Sequence, residues 1–153
     1  MVKTIVLSAF LVVALGSLSE VKAEQRSDVH CLAETIFREA RGTNVEEKIL
    51  VGNVVLNRMK SGKFPETACG VLNQKGQFPW INKFSMKERQ KTINREKIEY
   101  DESFVLAVYL LQGKIDDASN GALFFHSRKG GKRKWTNGLL LVQKTKYHYY
   151  YKQ

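Results

Sequence analysis

Residues 29–42 read VHCLAETIFREARG, and the spacing of their apolar positions decides what kind of chain this is. Apolar side chains fall at 29, 32, 33, 36, 37 and 40, the signature of one helical face, and Gly42 suits the position just past a helix end. Ser27 or Asp28 is placed to cap the start. At about 100° per residue, Glu39 lies roughly 20° from Leu32 around the helix axis, while Arg38 and Arg41 point away from the apolar stripe. A carboxylate therefore sits at the margin of a buried face. Desolvation on one side raises the pKa of such a group, as proton donation near neutral pH requires. On the residues alone, Glu39 reads equally as a salt-bridge partner and as a catalyst.

A second helix follows at once. Thr43 with Glu46, or Asn44 with Glu47, makes a capping-box pattern ahead of VEEKILVGNVVLNRMK, whose nearly continuous apolar middle predicts a central core helix. Gly52 allows another element to approach closely, and Asn53 and Asn57 share a face one turn apart. Asn57 is either a satisfied structural amide or part of a cleft. The stretch 61–84 is punctuated by Gly and Pro and carries aromatics at 64, 78, 80 and 84, so it predicts a long functional loop with at most short turns. A charged helix over 85–100 and a well-patterned one over 101–114, stopped by Gly113, come next. ALFFHS, NGLLLVQ and KYHYYYK, rich in aromatic and branched residues, predict three strands of a small antiparallel sheet. The fold class is thus α+β and mostly helical, in one domain.

The chain has 153 residues. Lys3 followed by IVLSAFLVVAL, and then by Val21-Lys22-Ala23, predicts a secretory signal peptide over 1–23 and a domain over 24–153; an uncleaved anchor is the alternative. The apolar run is short for a bilayer span of roughly 20 residues, which weighs against the anchor, and no other stretch is apolar and long enough to cross, so no stable membrane insertion is expected after cleavage. Export makes the compartment oxidising, and Cys31 and Cys69 allow one intramolecular bridge, with two buried thiols as the other reading. The formal charge is +10, and losing Lys3, Lys22 and Glu20 lowers it by one. A field of that sign attracts polyanions, whether wall polymers, anionic lipid or nucleic acid. Its densest piece is RKGGKRKW over 128–135.

Metal and nucleophile chemistry find little support. His30, His126 and His148 stand without partners at ligand spacing, and neither HExxH, paired CxxC, GxSxG nor a phosphate-binding glycine loop occurs. No cofactor and no metal are expected. A carboxylate accompanied by aromatics and amides is how sugar polymers are handled.

EARG closing a helix, then VGNVVLNR, KFPETACGVL, QFPW, GALFFH and KYHYYYK, in this order from about Cys31 to Lys152, resemble the SleB-like cell wall hydrolase family. The resemblance implies a compact domain like lysozyme and the lytic transglycosylases, acting without a metal on the glycan strands of peptidoglycan. It implies that Glu39 is the catalytic acid, protonating the oxygen between N-acetylmuramic acid and N-acetylglucosamine. The same carboxylate would then take the proton of the muramic 6-hydroxyl as a 1,6-anhydro end closes. Gln77, Phe78 and Trp80 match the family's aromatic loop, assigned to the substrate cleft, and His126 matches a position near the site. Cys31 and Cys69 match cysteines of a subset of the family, in keeping with a bridge.

Three departures bear on substrate preference. Thr43 stands where many members have a second acid, Pro79 replaces a small polar residue, and Gly76 occupies a position that is often Cys in the cysteine-bearing subset. The partners expected are peptidoglycan strands and, by charge, anionic wall polymers, with no nucleic acid, for a monomer located in the periplasm, wall or medium. The competing reading is a secreted basic binding protein, for wall polymer or nucleic acid, in which Glu39 is structural.

Overall fold

The structure, a computed structural model, describes residues 27–131 and 133–153. The expected signal segment lies outside the described residues. The first helix, α1, covers residues 27–40 and α2 spans Val45–Lys60. They are joined by a turn in which Gly42 has φ 74°, a conformation that disfavours any side chain. Of the two capping options, Asn44 is the one used: its side chain accepts from the backbone N–H of Glu47.

Helix α2 is the centre of the molecule. Its Val55 and Leu56 pack with Leu32, Ala33 and Ile36 of α1, and Leu50 and Val54 pack beneath Tyr150. Gly52 is required here: a Cβ at that position would lie 2.5 Å from Leu110 Cδ1 and 3.2 Å from Ile36 Cδ1. That close approach seats α6, Lys97–Leu111, through Leu106, Ala107 and Leu110. Lys48, 1 % exposed, adds a polar tie by donating to Glu99 at 2.7 Å and Glu102 at 2.6 Å.

The stretch 61–84 is more ordered than its glycines and prolines suggest. Ala68–Asn73 forms α3, capped by the Thr67 side chain, and Pro79–Lys83 forms α4, with Pro79 in its first turn. Thr67 and Pro79 are both helix-start residues, and the burial of Ala68, Val71 and Leu72 gives a helix too short to show a period its packing. The following helical region also divides differently. α5 is Met86–Arg95, opened by a Ser85–Glu88 capping box, and Glu96 at φ −116°, ψ 42° breaks the chain before α6. The boundary is thus at Glu96 rather than after Tyr100. Cys31 and Cys69 are disulfide-bonded, fastening α3 to α1.

The three strands form as expected: β1 Phe124–Ser127, β2 Leu140–Lys144 and β3 His148–Lys152. They make one antiparallel sheet in the order β1-β3-β2, with a bulge between Leu141 and Gln143. Phe125 and Tyr150, opposite one another in register, face α2. The architecture is mostly helical with a small antiparallel sheet, and among the described residues no helix is long and apolar enough to cross a membrane.

Candidate active site

Glu39, in the last turn of α1, is reached by the indole of Trp80, whose Nε1 donates to its Oε1 at 2.7 Å. The arginines beside it serve other ends. Arg38 donates to Glu34 at 3.2 Å, and Arg89 of α5 donates to the same carboxylate. Both guanidinium carbons lie 5.3 Å from the Trp80 ring centroid, so this paired cluster holds the indole in place. Arg41 turns outward to Glu96 at 2.8 Å. Glu39 is therefore left with a neutral donor and no ion pair among the described residues.

Burial raises the Glu39 pKa above the ordinary carboxylate value; the Trp80 bond and the charges of His148 and Arg58 pull it back without cancelling the rise. Arg58, from α2, is 4 % exposed and lies 5.1, 5.7 and 5.9 Å from the ring centroids of Phe64, Phe78 and Phe124. Its Nε donates to Leu123 O at 2.7 Å, and its Nη1 is buried without a partner. Burial brings its pKa down to about 10, with Glu39 acting in the opposite sense, so it remains a cation at neutral pH.

His148 stands at the start of β3. Its Nδ1–H donates to Glu47 Oε1 at 2.6 Å, and Tyr150 OH donates to the same oxygen at 2.6 Å. Glu47 is 2 % exposed, so its carboxylate is sequestered behind the imidazole it orients. His126 is similarly committed: Nδ1–H donates to Ser127 O at 3.0 Å and Nε2 accepts from Tyr151 OH at 3.2 Å.

Two recesses meet at Glu39. The first, about 470 Å³, is walled by Arg58, Gly76, Gln77, Phe78, Pro79, β1 from Phe124 to Ser127, Trp135 and His148. The second, about 450 Å³, runs along Arg41, Gly42, Thr43, Arg128, Lys129, Lys146 and Tyr147. Glu39, Ser127 and His148 belong to both, so a groove passes the carboxylate on either side. Among the described residues lining it, Glu39 is the one acid.

Of the residues singled out from sequence, Gln77, Phe78 and His126 line the first recess, and Trp80 touches Glu39 from behind. Asn57 lies in neither recess. Its amide donates to Asp117 Oδ2, Ser119 Oγ and Ala122 O at 3.0–3.2 Å, and it holds the turn that leads into β1. The structural alternative is the one its contacts support, because all its donors face that turn. Arg58 and His148 also line the groove, places that the sequence pattern does not assign to them. Arg58 directly follows Asn57 in VVLNR, and a lone arginine inside an apolar helix was the available signal. Among the described residues no three His, Cys, Asp or Glu side chains gather as a metal site.

Helix-borne acid, aromatic wall and small flanking sheet make a mostly helical domain with one groove past the acid. The profile of the family described as Cell Wall Hydrolase matches residues 42–151. The chain belongs to that family; Glu39 stands three residues ahead of the matched span. The spore cortex-lytic enzyme of Oceanobacillus iheyensis is 34 % identical over 56 residues, 37 % of this chain and 20 % of that protein. The spore cortex-lytic enzyme of Bacillus subtilis is 37 % identical over 46 residues, 30 % of this chain and 15 % of its own length. The chain thus aligns with about a fifth or less of these relatives. Among solved structures, the catalytic domain of the germination-specific lytic transglycosylase SleB from Bacillus anthracis superposes with TM-score 0.61 at 22 % identity, covering 82 % of this chain and 93 % of that one. The SleB catalytic domain of Bacillus cereus gives 0.60 at 20 %, covering 83 % and 91 %. The fold is theirs.

Proposed function

We propose that this protein is exported by its first 23 residues and cleaves the N-acetylmuramic acid to N-acetylglucosamine bond of peptidoglycan as a lytic transglycosylase. The observation that carries the reading is Glu39: a desolvated carboxylate, without an ion pair, standing alone as an acid in a groove open on both sides. An indole N–H only donates, so Oε1 accepts from Trp80 whatever the charge of Glu39, and the transferable proton resides on Oε2. Delivered to the glycosidic oxygen, it lets the muramic C1–O bond break. The carboxylate left behind is stabilised by the Trp80 bond and by the positive field of Arg58 and, when protonated, His148. It then takes the proton of the muramic 6-hydroxyl as that oxygen bonds to C1, closing the anhydro ring and restoring the acid.

One carboxylate suffices because an internal hydroxyl replaces water. A hydrolytic route of the usual kind uses a second carboxyl about 5–10 Å away. Glu47 accepts from two side chains at once and is closed off from the groove, which favours the intramolecular route. Gln77, Phe78 and His126 present amide and ring surfaces suited to sugar faces. The positive surface, including 128–135, draws the enzyme toward anionic wall polymers. A loop-neutralised variant is expected to bind walls less at low salt, with the difference shrinking at moderate salt.

The deciding experiment digests purified peptidoglycan with the protein and with Glu39→Gln and weighs the released muropeptides. Products lighter by one water than hydrolysis gives, absent with the variant, are expected. Hydrated ends would overturn the transglycosylase assignment, and no release from any wall would return Glu39 to a structural role.

A further inference from the structure

The two recesses that meet at Glu39 are chemically unlike. The first is walled by aromatic rings, with Arg58 sunk beneath them. The second is cationic, bearing Arg41, Arg128, Lys129 and Lys146, and Glu39 is the one acid among its described lining residues. Of these cations Arg41 is neutralised by Glu96. The other three have no carboxylate within ion-pair distance among the described residues.

Arg128 is also fixed in place. Its backbone N–H donates to Tyr147 O at 2.9 Å, its Nη1 donates to Thr145 O at 2.8 Å, and its guanidinium carbon lies 5.4 Å from the Tyr149 ring centroid. The neighbouring Lys129 follows a turn pinned by Ser127, whose side chain accepts the Lys129 backbone N–H. A guanidinium with one edge anchored on a carbonyl keeps its remaining N–H groups oriented, the arrangement that suits a carboxylate.

We propose that the recess formed by Arg128, Lys129 and Lys146 is a subsite for a carboxylate carried by the glycan strand, so that the enzyme selects acid-substituted sugars on that side of Glu39. The proposal rests on the peptidoglycan reading above and names a preference within it. In such a strand the carboxylates come from the acidic stem peptide or from the lactyl group of muramic acid. The subsite also gives the groove a direction, with neutral sugar faces against the aromatic recess and the acidic substituent against the cationic one.

The test compares kcat/KM of the full-length protein on glycan strands with intact stem peptides and on strands stripped by an amidase, which keep only the lactyl carboxylate. A preference of about five- to ten-fold for intact strands is expected, the value of one or two partly exposed ion pairs. It should fall to near unity in Arg128→Gln/Lys129→Gln. The charge-matched control Lys87→Gln/Lys91→Gln, on exposed positions of α5, should keep it. If the preference is absent in the wild-type protein but both strands are cut, capping the lactyl carboxylate as a methyl ester reads the second source. A fall in kcat/KM on esterification, reduced in the Arg128/Lys129 variant, assigns the subsite to the lactate. No effect of esterification overturns the proposal and leaves the peptidoglycan reading standing. A preference that persists in the variant, or that the control variant lowers equally, overturns it in favour of general attraction to the wall. Failure to cut any strand overturns both readings together.

Discussion

Trp80 Nε1 donates to Glu39 Oε1 at 2.7 Å across 41 residues of sequence, and it is the sole side-chain hydrogen bond to that carboxylate among the described residues. The bond holds the Glu39 pKa down against burial. Trp80→Phe removes the donor, so the pKa moves further up and the protonated acid persists to higher pH. The descending limb of the pH–rate profile is expected to shift toward alkaline pH, while the maximal rate drops roughly ten-fold through lost positioning of a charged acceptor. A profile recorded on peptidoglycan from acid to alkaline pH checks both.

Glu39→Gln should lower turnover by about 10²- to 10⁴-fold, the span of a lost general acid. It should also change how stability depends on pH. A carboxyl whose folded pKa is raised contributes stability that is complete below its unfolded value and lost as pH rises through the folded one. The wild-type fold therefore carries a penalty at pH 8 that it lacks at pH 4. The melting temperature of Glu39→Gln relative to wild type is expected to be higher at pH 8 than at pH 4.

Glu47 behaves in the opposite sense. Burial alone would raise its pKa, but the bonds from His148 and Tyr150 help to outweigh it and hold the value below the usual range. Its stabilisation is present above the unfolded value of about 4.3 and is lost as pH falls through the folded one. Glu47→Gln is expected to cost about 2–3 kcal/mol at pH 7, since two buried donors lose a charged acceptor. The gap between the urea midpoints of the variant and the wild type should narrow as pH falls below about 4.3.

The Cys31–Cys69 bridge closes a separation of 38 residues. The chain-entropy relation gives about 4 kcal/mol for a loop of that size. Replacing both cysteines with Ala is expected to lower stability by about that amount without altering the pH profile of any remaining activity. Denaturant melts of the double variant beside the oxidised wild-type protein measure it, with the reduced wild type as the control that should match the variant.

Glu39 at the margin of the core was visible from helical period alone, because period reports which way a side chain points relative to a buried stripe. The strands were legible for a related reason: clustered aromatic and branched residues between turn signals suit a pleated surface. Partnerships were not. The Arg38–Glu34 pair has i,i+4 spacing, but that Arg89, 51 residues beyond Arg38, joins it and that both guanidiniums brace Trp80 is encoded in no local pattern. Asn57 and Arg58 are adjacent on α2, yet one secures a distant turn and the other enters the groove. A step of about 100° around the helix separates those fates, and only the packed neighbours say which side is which. The helices Ala68–Asn73 and Pro79–Lys83 escaped because five or six residues are too few to display a period.

The sheet order β1-β3-β2 puts the strand that comes latest along the chain in the middle. Neither outer strand has a hydrogen-bonded neighbour until His148–Lys152 arrives between them, and that strand also brings His148 to the groove and Tyr150 to Glu47. During synthesis, a chain extended only to Lys144 holds α1 and its acid but lacks one wall of the groove. Assembly of the sheet and completion of the groove are therefore a single late event, and the ability to cut glycan should appear all at once rather than grow with chain length.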